Sequence, residues 1–263
     1  MNLRNKIAII TGAGSGIGKE TAIELARHGC TPVLVGRREK KLAEVLNEVW
    51  KYAPASTAET CDICEDAYIK QMVQAICERH GGIDILINNA GVMIVKAFDE
   101  LSQDEFNMQM DTNFYGAVSL IRAVIPVMQK QGRGVIINVT SSDSKLVVPG
   151  TNAYAASKAA LNALSESLYY ELKDKGIHVG LVLPGGTSTE LFDSVVNKLG
   201  EYYRDQSRMS PAKVARSIRE AIEKERFETV TPFSDRVYIG FRNALPGVFR
   251  TFVLRRLSPY LGK

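Results

Sequence analysis

The fold follows from Thr11-Gly12-Ala13-Gly14-Ser15-Gly16-Ile17-Gly18, a glycine-rich stretch between an apolar run and a segment of helical period. Glycines permit a tight turn and let backbone N–H groups approach a pyrophosphate at the start of a helix. A strand, a glycine turn and a helix in this order form the context in which such a motif binds a dinucleotide. The alternative is a turn that is merely rich in glycine, and the rest of the chain decides between the two.

Short apolar runs alternate with segments of helical period along most of the chain. The runs are largely β-branched and almost continuously hydrophobic, which is typical of strands buried on both faces of a parallel sheet. The alternation predicts an α/β fold, a single Rossmann-type doubly wound parallel sheet of about seven strands with helices on both faces. The predicted strands are Lys6–Thr11, Pro32–Gly36, Ser56–Cys61, Ile83–Asn88, Val135–Thr140, His178–Leu183 and Glu228–Thr231, and the predicted helices lie near 17–28, 39–52, 65–80, 103–130, 153–174 and 211–225.

Composition favours one globular unit with a charged extension. Of the 263 residues, 45% are hydrophobic and 24% are charged, as in ordinary proteins with one sizeable core. We expect residues 1–235 to form the dinucleotide-binding and catalytic domain, with a substrate segment at about 188–210, and residues 236–263 to form a basic, apolar extension. The whole chain has a net charge of +4, and the extension alone has a net charge of +6. Residues 1–235 therefore have a net charge of −2, which argues against nucleic-acid binding by the main body.

Further motifs follow the glycine turn at regular places in the predicted sheet. The motifs are Asp62-Ile63, Asn88-Asn89-Ala90-Gly91, Asn113, Asn138-Val139-Thr140-Ser141, Tyr154-Ala155-Ala156-Ser157-Lys158 and Pro184-Gly185-Gly186-Thr187-Ser188-Thr189. In the order and spacing of these motifs the chain resembles the short-chain dehydrogenase/reductase family, strongly over residues 5–190. The resemblance implies an oxidoreductase of the carbonyl reductase type that uses NADP(H).

The candidate reacting groups centre on a tyrosine and a lysine. Tyr154 and Lys158 are four residues apart on a predicted helix and so share a face. A nearby ammonium stabilises a phenolate, so we expect Lys158 to lower the pKa of Tyr154 from about 10 toward the working pH. Ser141 is favoured over the adjacent Ser142 because its spacing to Tyr154 matches the family.

The resemblance also implies a role for each candidate. Tyr154 protonates the carbonyl oxygen, Lys158 tunes Tyr154 and bonds the nicotinamide ribose, and Ser141 positions the oxygen. Asn113 holds a water behind the lysine; the alternative for Asn113 is an amide that packs helices.

The end of the second predicted strand bears on the choice of cofactor. An NAD site usually has an acid here, bonding the ribose 2′-OH, whereas this chain has Gly36 followed by Arg37 and Arg38. A guanidinium binds a 2′-phosphate through charge-assisted bonds, so we expect NADP(H), with NAD(H) as the alternative. Two features weaken the preference: Glu39 is close by, and Ser15 stands where some relatives have a basic residue. The arginines could also be solvated residues at a helix start.

The other cofactor contacts are implied by the resemblance. The glycine turn would hold the pyrophosphate, the residues after the third strand the adenine, those after the fourth the adjoining ribose, and those after the sixth the carboxamide end. In that order the residues are Gly12, Gly14, Ser15, Gly16, Ile17 and Gly18; Asp62 and Ile63; Asn89, Ala90 and Gly91; and Pro184, Gly185, Thr187 and Thr189.

Other chemistries have little support in the sequence. His28, His80 and His178 fall outside every motif, which disfavours a Ser-His-Asp hydrolase. Cys61 and Cys64 form a C-x-x-C without a second pair of ligands, so we expect no metal site. The chain begins without a signal-peptide pattern, and we expect a cytoplasmic protein with free thiols.

Two segments have open roles. Ser188–Met209 contains Leu191, Phe192, Leu199, Tyr202 and Tyr203, which would line an apolar substrate site or else pack on the body. The tail Val237–Leu261 mixes aromatic residues with arginines and is too short to span a bilayer. It could lie peripherally on a membrane surface; the alternatives are that it covers the substrate mouth or packs on a partner subunit.

By resemblance, the helices near 103–130 and 153–174 form the interface of a homodimer or homotetramer. Two rival functions stay open on the same fold, a dinucleotide-binding regulator without turnover and a membrane-surface scaffold.

Overall fold

A computed structural model describes residues 1–192 and 208–257 of the chain. Seven strands form one sheet in the order β3-β2-β1-β4-β5-β6-β7, and every neighbouring pair is parallel. All seven predicted strands are confirmed, each with ends within two residues of the expected ones. They are β1 Ile7–Thr11, β2 Thr31–Gly36, β3 Thr57–Thr60, β4 Ile85–Asn88, β5 Gly134–Val139, β6 Ile177–Pro184 and β7 Glu228–Thr231.

Helices cover both faces of the sheet, which confirms the doubly wound Rossmann-type architecture. On one face, Leu42 and Ile218 belong to the buried cluster formed by α1, α2 and α7. On the other face, Ile69, Leu120 and Leu172 belong to the cluster formed by α3, α5 and α6. The helices are α1 Gly16–Arg27, α2 Glu39–Val49, α3 Asp66–His80, α4 Gln103–Met110, α5 Gly116–Gln131, α6 Asn152–Leu172, α7 Pro211–Glu223, α8 Phe233–Ala244 and α9 Pro246–Leu257.

The single helix predicted over 103–130 is interrupted. Ser102 and Glu105 form a capping box at the start of α4, and a π-helical turn, Asp111–Tyr115, then joins α4 to α5. Such turns displace one side chain from the regular helical spacing and occur frequently at functional sites. Here the turn carries Asn113.

The sheet places its polar loops at one edge, between β1 and β4, where the order of the strands reverses. Open α/β sheets bind ligands in the crevice outside this switch point. Gly12 and Gly16 have φ of 64° and 55°, which side chains rarely adopt, so the turn after β1 requires glycine at both positions. The Thr11 hydroxyl accepts hydrogen bonds from the backbone N–H groups of Asn89 (2.9 Å) and Ala90 (3.0 Å), tying this turn to the loop after β4.

The end of the chain forms two helices, α8 and α9, that return to the carboxyl edge of the sheet. The rings of Phe241 and Phe249 join them edge to face, with 5.7 Å between centroids. Since α8 begins at Phe233, the expected division at residue 235 falls in its first turn. Over the described residues, no helix combines the length and the apolar character that crossing a bilayer would require.

Candidate active site

The four predicted catalytic residues converge at the carboxyl edge of the sheet. Ser141 follows β5, Tyr154 and Lys158 lie in α6, and Asn113 lies in the π-helical turn. All four residues are buried, and at most 7% of the surface of each residue is exposed. The fold thus brings together residues that are up to 45 positions apart in the sequence.

Tyr154 is buried beside a carboxylate. Burial raises its pKa above the ordinary value, the charge of Asp143 raises the pKa further, and a hydrogen bond with Ser141 lowers it. The ammonium nitrogen of Lys158 lies 5.9 Å from the centre of the Tyr154 ring and donates to the carbonyl oxygen of Val139 at 3.0 Å. The pKa of Tyr154 therefore does not fall toward the working pH as expected, because burial and the charge of Asp143 raise it.

Lys158 is itself perturbed. Burial disfavours its charged form and lowers its pKa to about 8. A lysine with this pKa can release and recover a proton near neutrality, so it can take part in proton transfer as well as carry charge.

Asn113 makes three hydrogen bonds through its side chain. Its Oδ1 accepts from the Val92 N–H at 2.8 Å, and its Nδ2 donates to the Val92 carbonyl oxygen (2.9 Å) and to the Ser157 hydroxyl (3.0 Å). Ser157 in turn donates to the carbonyl oxygen of Tyr154 at 2.7 Å. Asn113 therefore joins the loop after β4 to the helix that carries Tyr154.

The two candidate serines face different partners. Ser141 bonds Tyr154, and its hydroxyl accepts from the N–H of Asp143 at 3.1 Å. Ser142 bonds the carboxylate of Asp235 instead. Of the two serines, Ser141 is therefore the one that bonds Tyr154.

A cleft of about 390 Å³ opens between the glycine turn and Lys158. A Cβ at Gly14 would stand 3.2 Å from Cβ of Lys41, and one at Gly16 would stand 3.0 Å from Cγ2 of Thr189. Side chains at these positions would therefore crowd α2 and Thr189. The size of the cleft and its glycine-rich lining fit a dinucleotide. The predicted cofactor residues that line it are Gly12, Gly14, Ser15, Gly16, Ile17, Arg37, Arg38, Asp62, Ile63, Asn89, Ala90, Gly91, Tyr154, Lys158 and Thr189.

Gly18 lies behind the cleft. A Cβ at this position would collide with the Gly12 carbonyl oxygen and stand 2.7 Å from Nδ2 of Asn89. The third glycine of the motif therefore lets α1 pack closely on the turn and does not line the cleft.

The two arginines after β2 both line the cleft and both have acidic neighbours. Arg37 Nη1 is 3.6 Å from Oδ2 of Asp62. Arg38 donates to Oε2 of Glu190 and to the hydroxyl of Ser15, each at 2.8 Å. Glu39 is exposed in α2 and is not among the lining residues.

A second cavity, of about 620 Å³, adjoins the cleft at Tyr154. Pro184, Gly185 and Thr187 line this cavity and not the cleft, whereas Thr189 and Leu191 line both. Leu199, Tyr202 and Tyr203 lie outside the described residues. The tail helices supply part of the wall through Tyr238, Phe249, Phe252, Val253 and Arg256.

A family model described as short chain dehydrogenase matches residues 6–200. The chain belongs to the short-chain dehydrogenase family. As a member it is an oxidoreductase that transfers a hydride between a nicotinamide dinucleotide and its substrate.

Known proteins extend this similarity over nearly the whole chain. An uncharacterized oxidoreductase of Staphylococcus saprophyticus is 34% identical, over 88% of this chain and 96% of its own length. A short-chain dehydrogenase/reductase from Burkholderia phymatum, solved in complex with NAD, has a TM-score of 0.86 at 25% identity, covering 93% of this chain and 95% of its own. An alcohol dehydrogenase from Thermococcus sibiricus, complexed with 5-hydroxy-NADP, has a TM-score of 0.76 at 25% identity, covering 86% and 95%.

Sequence reasoning missed two acidic residues in the cavity of this short-chain dehydrogenase. Asp143 follows Ser141 by two positions, and Asp235 projects from the first turn of α8. No motif marks either residue, and only the fold brings them together. The aromatic content of the tail was visible in the sequence, but its position over the cavity was not.

Among the cysteines, Cys61 lines the cleft, whereas Cys30, Cys64 and Cys77 line neither the cleft nor the cavity. Cys30, Cys61, Cys64 and Cys77 are all free thiols. Cys61 donates to the carbonyl oxygen of Asp62, and Cys64 lies 3.8 Å from the hydroxyl of Thr112. None of the three histidines lines the cleft or the cavity.

Proposed function

We propose that this short-chain dehydrogenase is an NADP(H)-preferring carbonyl reductase or alcohol dehydrogenase, in which Tyr154 exchanges a proton with the substrate oxygen. The observation that carries the proposal is the place of Tyr154, which lines both the cleft and the cavity. A proton donor at this junction meets a substrate on one side and a cofactor on the other. When bound, the nicotinamide supplies or accepts the hydride.

The residues around Tyr154 support its part in the reduction. The raised pKa keeps the phenol protonated at neutral pH, ready to donate its proton to the carbonyl oxygen. Ser141, on the same side of the tyrosine, donates a hydrogen bond to that oxygen and stabilises the charge that develops there. Lys158 returns a proton toward Tyr154, and Asn113 holds α6 and the loop after β4 in register for this transfer.

The preference for NADP(H) rests on Arg37 and Arg38. Both guanidinium groups are more than half exposed at the rim of the cleft, and the side chains of their acidic neighbours Asp62 and Glu190 are 35% and 49% exposed, so water reaches both pairs. A 2′-phosphate can replace such exposed pairs, since these pairs contribute little by themselves. The solved relatives include complexes with NAD and with an NADP derivative, which agrees with either cofactor at this fold.

A ketone and aldehyde panel tests the proposal. NADPH and NADH are offered in turn with aliphatic and aromatic carbonyl compounds, and oxidation of the cofactor is followed by absorbance. We expect turnover with at least one apolar carbonyl compound and a higher kcat/KM for NADPH. Tight binding of NADPH without turnover on any substrate, in either direction, would instead support the dinucleotide-binding regulator.

We also propose that the protein forms a homodimer or homotetramer through α4, α5 and α6. Large apolar side chains are exposed on this side of the molecule, among them Met108, Tyr115 and Tyr170 at 45%, 56% and 67%. Burying them between subunits would remove apolar surface from water.

A peripheral contact with an anionic membrane, from the cytoplasmic side, is a second proposal. The tail helices line part of the cavity, and Leu245 between them and Val248 and Leu254 in α9 are each more than half accessible. Arg242 and Arg250 are exposed on the same two helices. Apolar side chains flanked by arginines suit the interface of an anionic bilayer.

A further inference from the structure

Two carboxylates share the wall of the substrate cavity next to Tyr154. Asp143 comes from the loop after β5 and Asp235 from α8, and both are half-buried. Asp143, Asp235 and Tyr154 all line the same cavity, and the charge of Asp143 raises the pKa of Tyr154. The carboxylates therefore stand where the reacting end of a substrate lies.

The surroundings of the two carboxylates disfavour their ionisation. Burial raises the pKa of Asp143 to about 7, and the charge of Asp235 adds to this effect. Burial also raises the pKa of Asp235, against hydrogen bonds from Ser142 and Ser234 that lower it. Within residues 1–192 and 208–257, no basic side chain forms an ion pair with either carboxylate, and the lining Arg256 is exposed.

A bound cation would favour the ionised forms of Asp143 and Asp235. Two like charges in a partly buried site favour retention of a proton, whereas a positive ligand lets both groups ionise. A hydroxyl offers a single donor and no charge. A primary ammonium offers three donors and one positive charge, so it can bond both carboxylates at once.

The remainder of the cavity is apolar. Leu146 and Val148 come from the loop that follows Asp143, and Phe249, Phe252 and Val253 come from α9. The rings of Phe249 and Phe252 lie 6.3 Å apart and form a continuous aromatic surface. Such a wall accommodates a hydrocarbon chain that extends away from the carboxylates.

We propose that Asp143 and Asp235 select substrates with a primary amine beside the reacting carbon and an apolar chain beyond it, that is, long-chain amino ketones and the matching amino alcohols. The proposal rests on the proposed function of the same site and names its substrate class. Asp143 and Asp235 act in it as specificity-determining residues, and the proton transfer stays with Tyr154.

The test compares matched ligands on matched variants. A long-chain α-amino ketone and the parent ketone of equal length are compared by kcat/KM with NADPH. In parallel, decylamine and decanol are titrated calorimetrically into the protein. Both measurements use the wild type, the double variant Asp143→Asn/Asp235→Asn and the control Asp174→Asn, which removes an exposed acid outside the cavity. Thermal unfolding verifies that each variant is folded.

We expect the wild type and Asp174→Asn to prefer the amine by roughly 10- to 150-fold, the range for one charge-assisted hydrogen bond, and the double variant to lose this preference. Equal use and equal binding of amine and neutral ligand by the wild type would overturn the inference, as would a preference that survives in the double variant. If neutral ketones are reduced without amine preference, only the inference fails. If no ketone is reduced but decylamine binding depends on the two acids, the amine site stands and the proposed function fails.

Discussion

Asn113 and Lys158 lie on either side of Gly91, where a Cβ would stand 3.1 Å from the Asn113 side-chain oxygen and 3.4 Å from the Lys158 nitrogen. Only a residue without a side chain leaves both polar atoms accessible from this position. We propose that a water at this position connects the buried lysine to the π-helical turn. In this proposal Gly91 serves proton transfer as well as cofactor binding.

We expect Gly91→Ala to lower kcat by about tenfold or more, since the added methyl group crowds Asn113 and Lys158 and interrupts this connection. The measurement is kcat at saturating NADPH, together with the Kd for NADPH from fluorescence. Gly240→Ala is the control, because nothing lies within 4 Å of a Cβ at that helical position. An unchanged kcat in Gly91→Ala would remove the proposed water path.

Arg37 is expected to carry much of the preference for the phosphorylated cofactor. The loss of one charge-assisted hydrogen bond is worth roughly 10- to 150-fold, so Arg37→Asp should lower kcat/KM for NADPH by this factor and leave NADH nearly as effective as before. Lys175→Asp makes the same change in charge at an exposed site away from the cleft. Equal use of NADH and NADPH by the wild type would rule out the preference itself.

Much of the fold could be predicted because the strands are short, apolar and β-branched. Buried residues such as Ile9, Val33 and Ile136 make each strand recognisable without its neighbours. The Tyr154–Lys158 pair could be chosen from its four-residue spacing in α6, whereas Ser141 and Asn113 were chosen from the resemblance to the family, and the roles of all four stay predictions. The strands and the Tyr154–Lys158 pair depend on residues close together in the sequence.

Other features depend on contacts between distant segments. The π-helical turn at Asn113 leaves no mark in the hydrophobic period, and so the interruption of the predicted helix was missed. Asp143 and Asp235 are 92 positions apart, and they meet only because α8 returns to the carboxyl edge of the sheet. The pKa of Tyr154 likewise depends on burial and on Asp143, neither of which the spacing to Lys158 reveals.

Asp143 should make stability depend on pH. The ordinary pKa of an aspartate is 3.8, and the pKa of Asp143 in the folded protein is about 7. Between about pH 4 and pH 7 the folded protein therefore keeps a proton on Asp143 that the unfolded chain has released. Linkage then makes the wild type lose stability as pH rises from about 4 to about 7. Relative to Asp143→Asn, we expect the loss to be on the order of 1–3 kcal/mol, measured by urea unfolding across this range. A difference between the two proteins that does not vary with pH would contradict the assignment; Asp174→Asn serves as the control.

The exposed apolar side chains of Leu245, Val248 and Leu254 should mediate the proposed membrane contact. We expect the wild type to sediment with anionic vesicles at low salt and to be released at high salt, because each basic residue near such a surface contributes about 1 kcal/mol that salt screens. The triple substitution Leu245→Ser, Val248→Ser and Leu254→Ser should abolish sedimentation, whereas Phe98→Ser, at a residue 70% exposed elsewhere, should not. Wild-type protein that stays in the supernatant at low salt would exclude the membrane proposal.

The most direct test of the account is the turnover of Tyr154→Phe. The substitution removes one hydroxyl from a residue that is only 7% exposed, so fold and NADPH affinity should be retained. A general acid contributes about 10²–10⁴-fold, and we expect kcat for the best carbonyl substrate to fall by that factor while the Kd for NADPH stays close to the wild-type value. A variant that binds NADPH normally and keeps more than a tenth of the wild-type kcat would show that Tyr154 is not the proton donor.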